Sequence, residues 1–330
     1  MASRTVLVTG GAGYIGSHTC RALHAAGWTP VTYDDLSTGH RQAVKWGPLE
    51  VGDILDRARL DAVFAEHAPV AVLHFAARSL VGESVTDPAK YYRSNVAGAL
   101  TVLEAARDHG VTGIVFSSTA ATYGIPDVSP IPPDAPTAPI NPYGRSKRMI
   151  EQMLGDFDAA YGLRSVSLRY FNAAGADAEH GIGEAHDPET HLIPIVLQVA
   201  LGDRAEIAMF GDDYPTPDGT CVRDYIHVAD LADAHVRALD YLVDGGATTI
   251  LNLGTGHGHS VREVVEVARA VTGHPIPARV APRRPGDPPT LVADPGRSAE
   301  VLGWTPKHDD LHAIVASAWA WAQHGFDAPD

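Results

Sequence analysis

Tyr143 and Lys147 stand four residues apart in the run Asn141-Pro142-Tyr143-Gly144-Arg145-Ser146-Lys147. Asn is a favoured helix N-cap and Pro suits the first helical position. The run therefore predicts a helix start with the phenol and the ammonium on one face. A phenol that titrates near pH 10 is a poor base at neutral pH, but a neighbouring ammonium favours its phenolate. Such a pair suits proton transfer to and from a hydroxyl; taken alone, it is equally the pattern of two surface side chains. Upstream, Phe116-Ser117-Ser118-Thr119 supplies hydroxyls at the end of a predicted strand. A hydroxyl there can share the proton of a reacting alcohol with Tyr143, although Ser117 alone could simply cap a turn.

A glycine pattern near the start gives the pair a context. Thr9-Gly10-Gly11-Ala12-Gly13-Tyr14-Ile15-Gly16 fits a G-x-G-x-x-G fingerprint at Gly11, Gly13 and Gly16, and a second register at Gly10, Gly13 and Gly16. Glycines permit a tight turn and the close approach of backbone N–H groups to a pyrophosphate, and the following helix start adds a favourable dipole. Asp34 falls at the end of the next predicted strand, where a carboxylate accepts hydrogen bonds from ribose hydroxyls and repels a 2′-phosphate, which favours NAD over NADP. Asp53 closes the third strand and is placed to face an adenine. A bound nicotinamide cation would push Tyr143 further toward its phenolate.

The elements that must carry these residues read as an α/β alternation. Thr5–Thr9 is a nearly continuous apolar run, as in a strand buried on both faces. Ser17–Ala26 follows at helical spacing. Pro30–Tyr33, Leu49–Gly52, Ala71–Phe75, Gly113–Ser117 and Ser165–Leu168 read as further strands with helical stretches between them. That alternation predicts a Rossmann-like, doubly wound parallel sheet flanked by helices. After about Asn172 the composition changes: Gly175–Glu189 is rich in Gly, Asp and His, and Arg279–Pro289 in Pro and Arg, as loops around a site would be. Ile250–Leu253 reads as another core strand. The expected division is therefore a sheet domain over 1–172, with 222–254 contributing, and a smaller, interleaved C-terminal substrate-binding lobe from 173–221 and 255–330.

Bulk composition excludes several classes. The 330 residues carry 45% apolar and 20% charged side chains and a net charge of −15. That suits a soluble enzyme and argues against a nucleic-acid or anionic-membrane surface. Cys20 and Cys221 are too few and too far apart for a disulfide framework or a zinc signature. The residues after Met1 run straight into an apolar strand with no signal-peptide core. Nothing approaches the ~18–20 apolar residues of a membrane span, so a cytoplasmic protein is expected. Among the 17 histidines, His257-Gly258-His259 is the obvious metal candidate, but no H-E-x-x-H motif occurs and no carboxylate cluster accompanies them in the sequence, so no metal is expected. Glu83 and Asp87 read as polar loop residues.

These motifs together resemble the extended short-chain dehydrogenase/reductases and, within them, the UDP-galactose 4-epimerases, over nearly the whole chain. His74-Phe75-Ala76-Ala77, Val81-Gly82-Glu83-Ser84, Leu168-Arg169-Tyr170-Phe171-Asn172 and the stretch from Asp212-Asp213-Tyr214-Pro215-Thr216 to Val222-Arg223-Asp224-Tyr225-Ile226-His227-Val228 strengthen the likeness. The resemblance implies reversible C4 epimerisation of UDP-glucose and UDP-galactose through a transient 4-keto sugar, with a tightly held NAD. It implies Thr119, Tyr143 and Lys147 as the catalytic group. Around NAD it places Gly10, Gly13, Tyr14, Ile15, Gly16, Asp34, Asp35, Asp53, Ile54, Phe75, Ala76, Ala77, Ser94, Ser117, Tyr143, Lys147, Tyr170 and Phe171. Around the UDP-sugar it places Thr119, Tyr143, Asn172, His191, Leu192, Ala208, Phe210, Arg223, Arg284, Asp287 and Leu291. Arg223 and Arg284 are also forked cations of the kind a diphosphate prefers, and a surface ion pair between Arg223 and Asp224 stays open as the alternative. A homodimer joined through helices, that of Tyr143 among them, is implied too.

Three positions depart from the family. Thr119 stands where many relatives have Ser, which keeps a hydroxyl. Ser79 stands where many have Lys, and Arg78 beside it is a possible substitute. Leu291 is intermediate between the Tyr and the small residues found there. The last two bear on sugar selection, so a 4-epimerase of UDP-xylose/UDP-arabinose, UDP-glucuronate or a UDP-N-acetylhexosamine stays open. A nucleotide-sugar dehydratase or decarboxylase needs an acid after the Thr, where this chain has Ala120 and Ala121. A non-catalytic NAD-sensing protein would need none of Thr119, Tyr143 and Lys147.

Overall fold

Val6, Leu7 and Val8 are fully buried, which requires their strand to be covered on both faces and both edges. In the computed structural model, which describes residues 4–284 and 286–327, strand β1 (Thr5–Thr9) lies inside a seven-stranded sheet. Met1–Ser3, Pro285 of the proline-rich loop and Ala328–Asp330 lie outside the described residues. The other strands are β2 (Thr29–Asp34), β3 (Leu49–Val51), β4 (Ala71–His74), β5 (Gly113–Thr119), β6 (Arg164–Tyr170) and β7 (Thr249–Leu253). Their order is β7-β6-β5-β4-β1-β2-β3, and every pairing is parallel. The order reverses between β1 and β4, and in such sheets ligands bind beyond the carboxyl ends of the strands at that point.

Alternate residues of each strand feed two cores. Leu7, Tyr33, Val72 and Phe116 meet Leu60, Phe64, Leu103 and Ile150 from the helices Arg57–His67, Gly98–Asp108 and Pro142–Tyr161. Val8, Leu73, Val115, Leu168 and Leu251 meet Leu23 of helix Tyr14–Ala25 and Leu231 and Leu239 of helix Val228–Val243. Each large side chain so buried contributes about 1.5–3 kcal/mol. Residues 228–253 thus return to the sheet as a covering helix and the edge strand β7.

Beyond the sheet, helices Leu192–Leu201, Val261–Thr272 and Leu311–Ala322 share a third cluster around Val196, Leu197, Val264, Ile314 and Val315. Ser260 and Glu263 start the middle helix with a reciprocal capping box. Short ladders surround this cluster: Asn172–Ala174 with Tyr225–His227, Ile207–Phe210 with Ala278–Ala281, and His259–Ser260, Val222–Arg223 and Thr290–Leu291 together. No helix among the described residues is long and apolar enough to cross a membrane.

Six of the seven strands end or begin one or two residues from the sequence expectation, and the largest difference is at the first helix. The first helix starts at Tyr14 rather than Ser17, because Gly13 takes extended dihedrals (φ −81°, ψ 176°) and coil turns to helix immediately after it.

Candidate active site

The glycine turn admits no side chains. A Cβ on Gly16 would lie 2.2 Å from the Gly10 carbonyl oxygen, and one on Gly10, where φ is +75°, 2.6 Å from the Ala76 nitrogen. Gly13 caps the first helix with no side-chain oxygen, so the helix-start amides face outward without a built-in acceptor. This is the cradle a pyrophosphate needs, and the residues present fit a dinucleotide. Asp34 also serves the turn itself: its two oxygens accept the Ala12 N–H at 3.0 Å and the Leu36 N–H at 2.9 Å, and burial pushes its pKa up. It is a buried brace as well as the strand-end carboxylate expected from sequence.

This turn forms one end of a continuous cleft of about 950 Å³ along the carboxyl ends of the strands. Every residue named above for NAD and for the UDP-sugar lines it, from Gly10 and Asp53 through Ser94, Ser117 and Tyr170 to His191, Ala208 and Leu291.

Thr119, Tyr143 and Lys147 lie between the two ends. Asn141 accepts the Gly144 N–H at 2.8 Å and Pro142 occupies the first turn, so the Tyr143 helix starts as its sequence predicts. Thr119 accepts the Ala121 N–H at 3.1 Å, which leaves its hydroxyl hydrogen to give away. Burial pushes the Tyr143 phenol up, and a hydrogen bond from Thr119 pulls it back. The expectation that Lys147 depresses this phenol needs correction. The ammonium donates to the Ser117 carbonyl at 2.8 Å and sits over the Phe116 ring, and the phenol's net shift is upward. Burial lowers Lys147 itself to about 7, an effect the nearby Glu151 opposes.

The supporting roles of four residues, Glu151, Arg169, Asn95 and Asp224, escaped the sequence reading. Glu151 continues the face of Tyr143 and Lys147 by one more turn. It accepts from Ser118 Oγ at 2.7 Å and makes a two-pronged pair with buried Arg169, both contacts at 2.7 Å. The signal for it was present: a third polar residue at the same spacing, and an arginine inside a buried strand. Asn95, in a π-helical turn over Tyr92–Ala97, accepts from the Arg78 N–H and donates to the Arg78 carbonyl and to Ser146 Oγ. It thereby ties the loop after β4 to the catalytic helix. That loop places the Arg78 guanidinium 3.7 Å from Asp35, while Ser79 is exposed. Asp224 is fully buried and accepts N–H groups from Thr255, Gly256 and Ala293. Nothing local marks it, because its partners come from distant segments.

Asp224 is therefore unavailable to Arg223, which closes the ion-pair alternative. Arg223 donates to the Pro288 carbonyl at 2.9 Å and lies 3.6 Å from Asp287. Arg284 reaches the same carboxylate at 3.1 Å and stacks 4.7 Å over Phe210. Two guanidinium groups thus converge on one shared counter-ion. Leu291, beside Arg223 in the ladder, packs with Phe171 against Ala120 and Tyr123, and Ala120 and Ala121 give methyl groups next to Thr119. Glu83 lies in the short helix Val81–Thr86 rather than in a loop and pairs with Lys90, while Asp87, between two helices, caps the second of them.

The histidines arrange themselves differently from the sequence reading. His257 is exposed, and neither it nor His259 belongs to a group of possible metal ligands among the described residues. Carboxylates do accompany other histidines: Glu184, His186, Glu189 and His191 come together on the loop before helix Leu192–Leu201, as do Glu50, Glu66 and His67. Chain folding brings these together across turns that no motif announces.

Residues 6–254 match the family described as NAD dependent epimerase/dehydratase. The chain is 58% identical to a UDP-glucose 4-epimerase of Rhizobium meliloti (strain 1021) over 97% of its own length and 98% of that protein. It superposes on the UDP-glucose 4-epimerase of Brucella ovis in complex with NAD with a TM-score of 0.95, at 53% identity and 99% coverage of each chain. It also superposes on one from Stenotrophomonas maltophila with bound NAD and formylated UDP-arabinopyranose, with a TM-score of 0.94, 45% identity and 97% and 98% coverage.

Proposed function

Because this chain belongs to the NAD-dependent epimerase/dehydratase family, we propose that it interconverts UDP-glucose and UDP-galactose by inverting C4 through a transient 4-keto sugar. The observation that carries this reading is one cleft with a glycine cradle at one end, two arginines at the other and Thr119, Tyr143 and Lys147 between them.

Bound NAD supplies a site that takes up the C4 hydrogen as hydride and returns it, together with a positive ring charge. The chain's own residues supply the rest. Tyr143 accepts the C4 hydroxyl proton on its phenol oxygen and later gives it back. Thr119 donates to that oxygen and stabilises the phenolate, which offsets the cost of burying it. Lys147, anchored on the Ser117 carbonyl, holds a second donor in place at the floor of the cleft. Arg223 and Arg284 exchange their shared Asp287 for the diphosphate. With UDP anchored there, the 4-keto ring turns over and re-presents its other face. Leu291 and the Ala120 methyl bound the space in which it turns.

The division into a sheet domain of 1–172 with 222–254 and a UDP-sugar lobe of 173–221 and 255–330 belongs to the same reading. So do a cytoplasmic setting, which free, buried Cys20 and Cys221 suit, and a homodimer. Exposed Leu100 and Met149, on the adjacent helices Gly98–Asp108 and Pro142–Tyr161, favour those helices as its contact.

The test is a panel of UDP-sugars followed by NMR with no added oxidant or reductant. UDP-glucose and UDP-galactose should interconvert to one equilibrium ratio, with the dinucleotide co-purifying. A stoichiometric need for external oxidant or reductant would make the protein a dehydrogenase. A preference for UDP-xylose or UDP-glucuronate would move it to another UDP-sugar.

A further inference from the structure

Glu184, His186, Glu189 and His191 share one irregular segment, and each offers a ligand atom within 4.8 Å of the other three. His186 Nδ1 lies 3.0 Å from Glu184 Oε1 and 3.9 Å from Glu189 Oε2, and His191 Nδ1 contacts the same Glu184 oxygen. The carboxylates are buried, their side chains 6% and 5% exposed, whereas the imidazoles are 31% and 49% exposed and line the cleft. Two adjacent carboxylates out of water need positive charge. Among the described residues no Lys or Arg pairs with either one, so their cationic partners are the two imidazoles alone, which carry charge only when protonated. The other mixed cluster differs on this point: Arg59 already pairs with Glu50, and Glu66 is 65% exposed.

The segment is held from outside. Trp321 donates to the Glu184 carbonyl at 2.7 Å and His40 to the Ala185 carbonyl at 2.7 Å. Glu189 Oε1 accepts the N–H groups of Thr190 and His191, which leaves Oε2 turned to the cluster. The backbone that sets the four side chains is therefore fixed before any ion arrives.

We propose that Glu184, His186, Glu189 and His191 bind one divalent first-row transition-metal ion, with zinc the best match to two imidazole nitrogens and two carboxylate oxygens. Bonds of about 2.0–2.2 Å in a tetrahedron place the donors roughly 3.3–3.5 Å apart, a spacing bracketed by the 3.0 Å and 3.9 Å that separate His186 from Glu184 and Glu189. Two carboxylates and one dication sum to zero charge, which meets the demand of the buried acids. The half-open imidazoles give the ion its path from the cleft. Neither Tyr143 nor Lys147 belongs to the cluster, but His191 is among the residues placed around the UDP-sugar, so the site borders the sugar end of the cleft rather than the proton-transfer group.

The test uses the full chain with its co-purified dinucleotide, cleared of metal with a chelator and titrated with Zn²⁺ and with Co²⁺. One ion per chain should remain after gel filtration, and the Co²⁺ form should show the intense visible bands of four-coordinate cobalt. His186→Ala changes a half-open side chain and should fold normally, yet it should lose at least tenfold in Zn²⁺ affinity. His257→Ala should bind as the unmodified chain does. Less than half an ion per chain, a weak six-coordinate cobalt spectrum, or unchanged affinity in His186→Ala would each overturn the assignment.

Discussion

The two ends of the cleft are built by opposite strategies. At the dinucleotide end, neighbours in sequence are neighbours in space: Gly10–Gly16 forms one turn, and Tyr143, Lys147 and Glu151 form one helix face, all resting on strands that are largely buried. At the sugar end, Arg223, Arg284, Asp287 and Leu291 meet through two-residue ladders and a proline-rich loop, held in place by Asp224. Chemistry that tolerates no displacement is mounted on the rigid end, where about 1 Å of misplacement can cost a hundredfold. Selection among similar sugars is left to the end that can change by small steps.

Four measurements can break or sharpen that contrast. The largest effect belongs to the rigid end. Tyr143→Phe should lose at least about 10²–10⁴-fold in turnover, the contribution of a positioned base, while the purified variant keeps its dinucleotide absorbance. Near-normal turnover would remove Tyr143 from the chemistry.

The second effect is on stability and also belongs to the sheet-built end. Burial lowers His18 to about 4, His74 to about 3 and His235 to about 4. An unfolded chain binds these protons near pH 6.5, so between about pH 6.5 and 4 the unfolded state holds more of them. Stability is then present above pH 6.5 and is lost as the pH falls toward 4. Urea midpoints should report a loss on the order of 5 kcal/mol from pH 7 to pH 5; a flat profile would contradict neutral burial of these rings.

The third falls on the sugar end. Arg223→Gln should raise KM for UDP-galactose about 10–100-fold, the worth of one charge-assisted contact, with dinucleotide content unchanged because Arg223 lies among the residues of the other end. Loss of the dinucleotide instead would show that the two ends are not separable. The smallest effect is at Leu291. UDP-glucose and UDP-galactose should be the best substrates of the unmodified chain, with N-acetylated forms poor, and Leu291→Gly should improve the latter about tenfold, as expected for a methylene-scale change in pocket volume. No gain on truncation, or equal rates on both classes before it, would show that Leu291 does not gate the pocket.

What could be read before folding follows the same divide. Seven strands and the helix N-cap at Asn141 announced themselves because burial on both faces and capping leave local patterns. The cleft gathers the residues named from the resemblance, but spacing alone could not say that Asp34 braces the turn or that Arg223 turns to Asp287 rather than to its neighbour Asp224. The direction of the Tyr143 shift was misread for a related reason. Helical spacing placed Lys147 nearby, but the Ser117 carbonyl, on strand β5, decides where its ammonium points. The acid–histidine cluster was illegible because Glu184 and Glu189 become buried only when Trp321 and His40 fix their loop.

The edge strand β7 has a consequence for how the chain is made. Asn252 accepts the Tyr123 hydroxyl at 2.6 Å and donates to the Ile131 carbonyl at 2.7 Å, and β7 covers the outer edge of β6 along five residue pairs. Asn252 and the rest of β7 leave the ribosome long after β6 has. Until residue 253 emerges, the nascent chain carries an open, apolar strand edge and two buried polar groups without partners, the state most prone to pairing with another chain. The contacts that end this exposure span more than a hundred residues between Tyr123 and Asn252, and closing such a span is slow. Synthesis of this protein thus has a vulnerable interval whose length is set by translation speed. A break in the chain between β6 and β7 would make that interval permanent.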